Sequence, residues 1–129
     1  MNKILVEVSI GELLDKISIL EIKKDKIKDA EKLKFINDEY VLLKEQFDKN
    51  VKSDTQLDIL FKTLKEINTR LWFIEDDKRL CEKNSDFGEK FIQVSRDVHF
   101  MNDKRAEIKS KINQLSGSNI REVKQYTKY

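Results

Sequence analysis

Proline is absent from this chain of 129 residues, and glycine occurs only three times. With almost nothing to interrupt a helix, long helices are permitted wherever apolar residues recur at helical spacing. A single cysteine, Cys81, excludes an intrachain disulfide and fits a reduced, cytoplasmic protein. Neither sign of charge dominates: 26 basic residues stand against 24 acidic ones, a net of +2. Such balance provides no general field for nucleic acid or an anionic membrane, and neither is expected as a partner. No apolar run approaches the roughly 20 residues that span a bilayer. At the start, Ile4-Leu5-Val6 is cut short by Glu7, so no secretory leader is expected.

What is present is charge and periodicity. Charged and hydrophobic residues each make up 39% of the chain, but the apolar ones are strongly periodic, which argues against disorder. Between Leu57 and Leu115 two long helical arms meet at Ser85-Asp86-Phe87-Gly88. On the first arm Leu57, Leu60, Leu64, Ile67, Leu71, Ile74 and Cys81 recur at steps of three and four, with Lys78 interrupting near the turn. On the second, Phe91, Val94, Val98, Met101, Ile108, Ile112 and Leu115 do the same, and Arg105 stands where an apolar residue is due. Ser85 or Asp86 is expected to cap the second arm, with Gly88 relaxing the backbone. A short connection makes the arms antiparallel neighbours. In that register Glu75 faces Arg96, Trp72 faces His99 and Phe100, and Asn68 faces Asp103, a polar layer beside the apolar seam.

Taken in order, Ile4, Leu5, Val6 and Val8 suggest a short extended segment packed on the helices. Ser9-Ile10-Gly11-Glu12 reads as a capping box. The first helix then buries Ile10, Leu13, Leu14, Ile17, Leu20 and Ile27, and turns Asp15, Lys16, Lys23, Lys24, Asp25 and Lys26 to solvent. The pattern resets at Lys28-Asp29-Ala30, and Leu33, Ile36, Tyr40, Leu43 and Phe47 mark a second helix. Ser53 or Asp54 caps the third, and Gly117 ends the fourth in left-handed geometry. Ile120, Val123, Tyr126 and Tyr129 belong to a tail that forms a short docked helix or orders against a partner. The expectation is one all-α domain over 1–129, an antiparallel helical bundle built on a long two-helix hairpin, with a short extended N-terminus. Its helices span about 10–28, 30–49, 54–83 and 87–116, with a tail over 118–129. The two long helices, on the order of 45 Å each, outreach the first two, and a second copy is the simplest cover. A homodimer is therefore expected.

No catalytic residue, metal or cofactor is assigned from the sequence. His99 and Asp103 are four apart, but a bundle metal site needs a Glu-x-x-His motif or several inward carboxylates, and neither spacing occurs. Asp86-Phe87-Gly88-Glu89 and the Asp25 to Asp29 stretch only imitate the magnesium motifs of all-α nucleotide hydrolases. Cys81 has no adjacent base and reads as core filler. The ligand-binding candidates are Trp72, Glu75, Arg79, Glu82, Arg96, Asn102, Asp103 and Arg105, which crowd one level of the two arms.

Several stretches resemble a family of short all-helical bacterial and phage proteins known only as a domain of unknown function. They are Ser9-Ile10-Gly11-Glu12-Leu13-Leu14-Asp15-Lys16, Ile19-Leu20-Glu21-Ile22-Lys23, Leu71-Trp72-Phe73-Ile74-Glu75-Asp76 with Arg79 and Glu82, and Asp86-Phe87-Gly88-Glu89-Lys90-Phe91. Arg96-Asp97-Val98, Asn102-Asp103-Lys104-Arg105-Ala106 and Ile108-Lys109 complete the likeness, which covers most of the chain. The resemblance implies an all-helical fold and no established activity. Where such proteins tend to carry Tyr this chain has His99, which counts against His99 as an essential ligand or base.

Two functions remain open. One is a non-enzymatic, self-associating helical module that holds a protein partner, with register set by the polar layer. The other is a small-molecule or anion-binding protein, or a small all-α enzyme, with Arg96 and Arg105 gripping an anion and Glu75 or Asp103 as acid or base. In the first the polar residues are paired and dry. In the second an arginine and a carboxylate face an open cavity.

Overall fold

The computed structural model describes residues 3–52, 54–118 and 122–129. Those residues form four helices and no strand: α1 (Ile10–Lys26), α2 (Ala30–Asn50), α3 (Thr55–Lys83) and α4 (Glu89–Ser116). The all-helical expectation holds. No helix among the described residues is long and apolar enough to cross a membrane.

Short polar side chains open three of the helices. The Ser9 hydroxyl accepts from the Glu12 N–H at 3.0 Å, Asp29 from the Lys32 N–H at 3.0 Å, and Asp54 from the Gln56 N–H at 2.7 Å. Ser53, the other candidate cap for α3, lies outside the described residues. The capping box at α1 is only half made, because Glu12 turns its carboxylate to Lys109 on α4 (2.7 Å) rather than back to Ser9. At the α3–α4 turn the expectation needs a different correction. Gly88 caps α4 without a side-chain bond, while Asp86 accepts from the Gly88 N–H at 3.2 Å, one position too early to serve the helix. The left-handed residue there is Ser85 (φ 52°), not glycine. Gly117 does end α4 with φ 68°, as its placement after Ser116 implied.

Leu14, Ile17, Leu57, Leu64 and Ile112 form the buried core, and Tyr40, Leu43 and Phe47 of α2 close over it with Leu60, Phe61 and Ile108. α3 and α4 share the most extensive contact of any helix pair, and Cys81 and Val94 extend their burial toward the turn. α2 lies against α1, and α1 packs on α3 and α4 as well. With neighbours on several sides, α1 buries more than the stripe its apolar residues mark: Gly11, Asp15, Ser18 and Ile22 are enclosed too. Asp15, expected in solvent, is therefore a core residue with 2% of its surface exposed. The N-terminal segment corrects another expectation. Ile4 and Leu5 are 87% and 91% exposed, so this stretch does not pack on the helices. The tail forms no helix over 122–129, and Ile120 lies outside the described residues.

Candidate functional site

The polar centre of the molecule is built around Asp15. Its two carboxylate oxygens receive the Arg105 guanidinium bidentately, Nε at 2.9 Å and Nη2 at 2.5 Å. The Asn68 amide donates to the same carboxylate at 2.8 Å and to the Ser18 hydroxyl at 2.8 Å, and that hydroxyl donates to the Asp15 carbonyl at 2.7 Å. One turn further along α4, the Lys109 ammonium reaches Glu12 at 2.7 Å, Glu122 of the tail at 3.0 Å and Asp15 at 3.8 Å. Burial raises the Asp15 carboxyl's pKa, but the Arg105 and Asn68 hydrogen bonds and the Arg105 and Lys109 charges outweigh it, leaving the group below its usual 3.8. For Lys109, burial lowers the pKa while Glu12, Glu122 and Asp15 together carry it above its usual value. This network pins α1 to α3 and α4 by fork-to-carboxylate geometry that a lysine in place of Arg105 would not reproduce.

Beside the network lies an open groove of about 480 Å³. Ile19 and Ile22 of α1, and Leu71 and Trp72 of α3, supply its apolar lining; Glu75, Asp76 and Arg79 extend it along α3, and Asn102 and Arg105 border it from α4. Trp72, Glu75, Asp76 and Arg79 share a lining because steps of three and four place them on one helix face. Trp72 is half-buried, and Glu75, Asp76 and Arg79 are exposed with no ion pair among the described residues. Arg105 stands differently: its fork is turned away into Asp15, with only Nη1 near the Asn102 side-chain oxygen at 3.5 Å.

The structure thus brings together Trp72, Glu75, Arg79, Asn102 and Arg105 from the candidate set and leaves Glu82, Arg96 and Asp103 out of the groove lining. The expected Glu75–Arg96 pair does not form; Arg96 instead sits 5.8 Å from the Phe100 ring centre. Asn68 turns to Asp15 rather than Asp103, whose carboxylate accepts from the Tyr129 hydroxyl. His99 packs at a tilt on Phe100 (4.4 Å between ring centres) and meets Tyr129 edge to face (5.3 Å), so the tail returns along α4. Glu82 is exposed near the turn. Among the described residues no three metal-ligating side chains gather.

Sequence reasoning missed Gly11, Asp15, Ser18, Lys109 and Asn113. Two faint signals marked them. Gly11, Asp15 and Ser18 repeat at helical spacing as a small and polar stripe on α1, and Asn102, Arg105, Lys109 and Asn113 do so on α4. The Gly11 N–H donates to the Asn113 side-chain oxygen at 2.7 Å where the stripes meet.

A family model described as Family of unknown function (DUF6165) matches residues 4–129. No curated protein and no solved structure matches the chain.

Proposed function

The chain belongs to this family of unknown function, and we propose that it is a non-enzymatic cytoplasmic helical module that self-associates as a homodimer. In this reading α3 and α4 form an antiparallel hairpin that organises a helical bundle and presents its turn end to a second copy. One observation carries it. Phe73, Leu80, Phe87 and Ile92 are 52%, 44%, 54% and 56% exposed, clustered toward the α3–α4 turn. α1 reaches only the start of this stretch, where the Lys26 ammonium sits 4.9 Å from the Phe73 ring centre. Beyond it Phe87 meets Phe91 edge to face, and Leu80 and Ile92 stay exposed.

A second copy suits this surface electrostatically. Asp76, Asp77, Glu82 and Glu89 are interspersed with Lys78, Arg79, Lys83 and Lys90, so the surface carries both signs that a self-complementary two-fold pairing can use. A lasting dimer needs about 800 Å² from each partner, a patch that two neighbouring helices over several turns can supply. Sedimentation of wild type and Leu80→Glu across micromolar concentrations tests the reading. Wild type is expected to sediment as a dimer, and Leu80→Glu as a monomer with unchanged helical circular dichroism. A monomeric wild type, or a variant that stays dimeric, removes the proposal.

A second reading has its own support. Glu75, Asp76 and Arg79 border an open groove beside Trp72 without being spent on one another, which suits a small-molecule site.

A further inference from the structure

We propose that the groove beside Trp72 binds a small organic cation: a single amine or guanidinium on an apolar stem. The inference rests on the second reading, that this groove is a ligand site, and assigns its ligand class.

Charge left uncommitted at the groove selects the ligand class. Of the two arginines that line the groove, Arg105 has two donors locked on the two oxygens of Asp15, so its positive charge is already matched inside the protein. Arg96 does not line the groove at all. The ionised groups left to meet a ligand are Glu75, Asp76 and Arg79, two carboxylates against one guanidinium. An anion arriving here meets a net negative lining, whereas a cation meets a net attraction.

The order of residues along α3 adds shape to this preference. Trp72 comes first, with Leu71 beside it and Ile19 and Ile22 opposite on α1. Glu75 and Asp76 lie one turn on, and Arg79 one turn beyond them. A turn advances about 5.4 Å, so a short apolar stem lying against Ile19, Ile22 and Leu71 delivers its charged head to the carboxylates. The indole face attracts the same head through its ring quadrupole. Arg79 then stands where a second positive charge would fall, which disfavours polyamines and selects a monocation.

Trp72 is the sole tryptophan of the chain, so its emission reports on this groove alone. The test is a fluorescence titration of the full chain with isopentylamine, spermidine and inorganic phosphate, with potassium chloride as the ionic-strength control. Isopentylamine is expected to give a saturable change that potassium chloride does not. Because bonds to charged groups are the strong ones, Glu75→Gln combined with Asp76→Asn should weaken binding by about tenfold or more. Both side chains are exposed, and an unchanged melting temperature confirms that the variant is folded. Arg79→Gln is expected to admit spermidine. Saturation by phosphate instead overturns the ligand class and leaves the groove a binding site. Silence toward all three compounds overturns both the class and the site. A response to isopentylamine that survives loss of both carboxylates also sinks the proposal.

Discussion

Replacing Asp15 by alanine is expected to destabilise the fold by about 3 kcal/mol, the lower end of what removing one partner of a buried ion pair costs. The lower end applies because the Arg105 side chain keeps 29% of its surface exposed, so water repairs part of the loss. Two cations are left without their shared counter-ion, and the Asn68 amide loses one of its two acceptors. For a domain of this size the same change lowers the melting temperature by roughly 10 °C. Urea denaturation near pH 7, followed by Trp72 emission and circular dichroism, measures it directly. A loss below about 1 kcal/mol would show that the network is dispensable, since ordinary surface changes fall within that range.

The pH dependence follows from the same residue. Asp15 has a lower pKa folded than unfolded, because Arg105, Asn68 and Lys109 overcome the burial penalty on its charge. Its contribution to stability is therefore fully present above the unfolded value of 3.8 and disappears as pH falls through the lower folded value. The stability gap between wild type and Asp15→Asn should accordingly be widest near neutrality and narrow below pH 3.8. A gap that widens on acidification would contradict this assignment.

Gly11→Ala is expected to be the second severe substitution. A methyl group at Gly11 would lie 2.6 Å from the Lys109 carbonyl oxygen and 2.8 Å from the Asn113 side-chain oxygen. The first of these is backbone within α4 and cannot swing aside, so α1 must move outward and stretch the 2.7 Å bond from the Gly11 N–H to Asn113. Overpacking of this kind costs about 1–3 kcal/mol, and the strained hydrogen bond places the expected loss near the top of that range. Helix propensity by itself points the other way, since alanine is better than glycine in a helix interior by up to about 1 kcal/mol. The two effects differ in sign, which makes chemical denaturation of this variant decisive: a Gly11→Ala protein as stable as wild type means that α1 and α4 are not in close contact.

Glycine at this position shows why part of the site was hard to read. In the sequence Gly11 is one member of a helix-start motif, and its proximity to Glu12 and Ser9 accounts for it locally. Nothing in that local pattern says that another helix crosses within contact distance. Asp15 is the same case: flanked by Leu14 and Lys16, it has the spacing of a solvated position, and only the packing of α1 on α3 and α4 brings Asn68, Arg105 and Lys109 around it. Arg105 was more legible, because a charge in the middle of an apolar seam must find a partner. Its partner was not, since Asp15 lies 90 positions away.

By itself the sequence determined the helices. With no proline, few glycines and apolar residues at steps of three and four, the backbone has one regular structure available, and Ser9, Asp29, Asp54 and Gly117 mark its ends. Those are local effects, decided within a turn or two of chain. Tertiary structure alone decided which polar residues are buried, which charges cancel and which stay unpaired at the surface. Coulomb and desolvation energies depend on distances between residues remote in sequence, and only the packed helices set those distances. Thus Arg105 was committed to the buried Asp15, while Glu75, Asp76 and Arg79 were left beside Trp72 at an open groove.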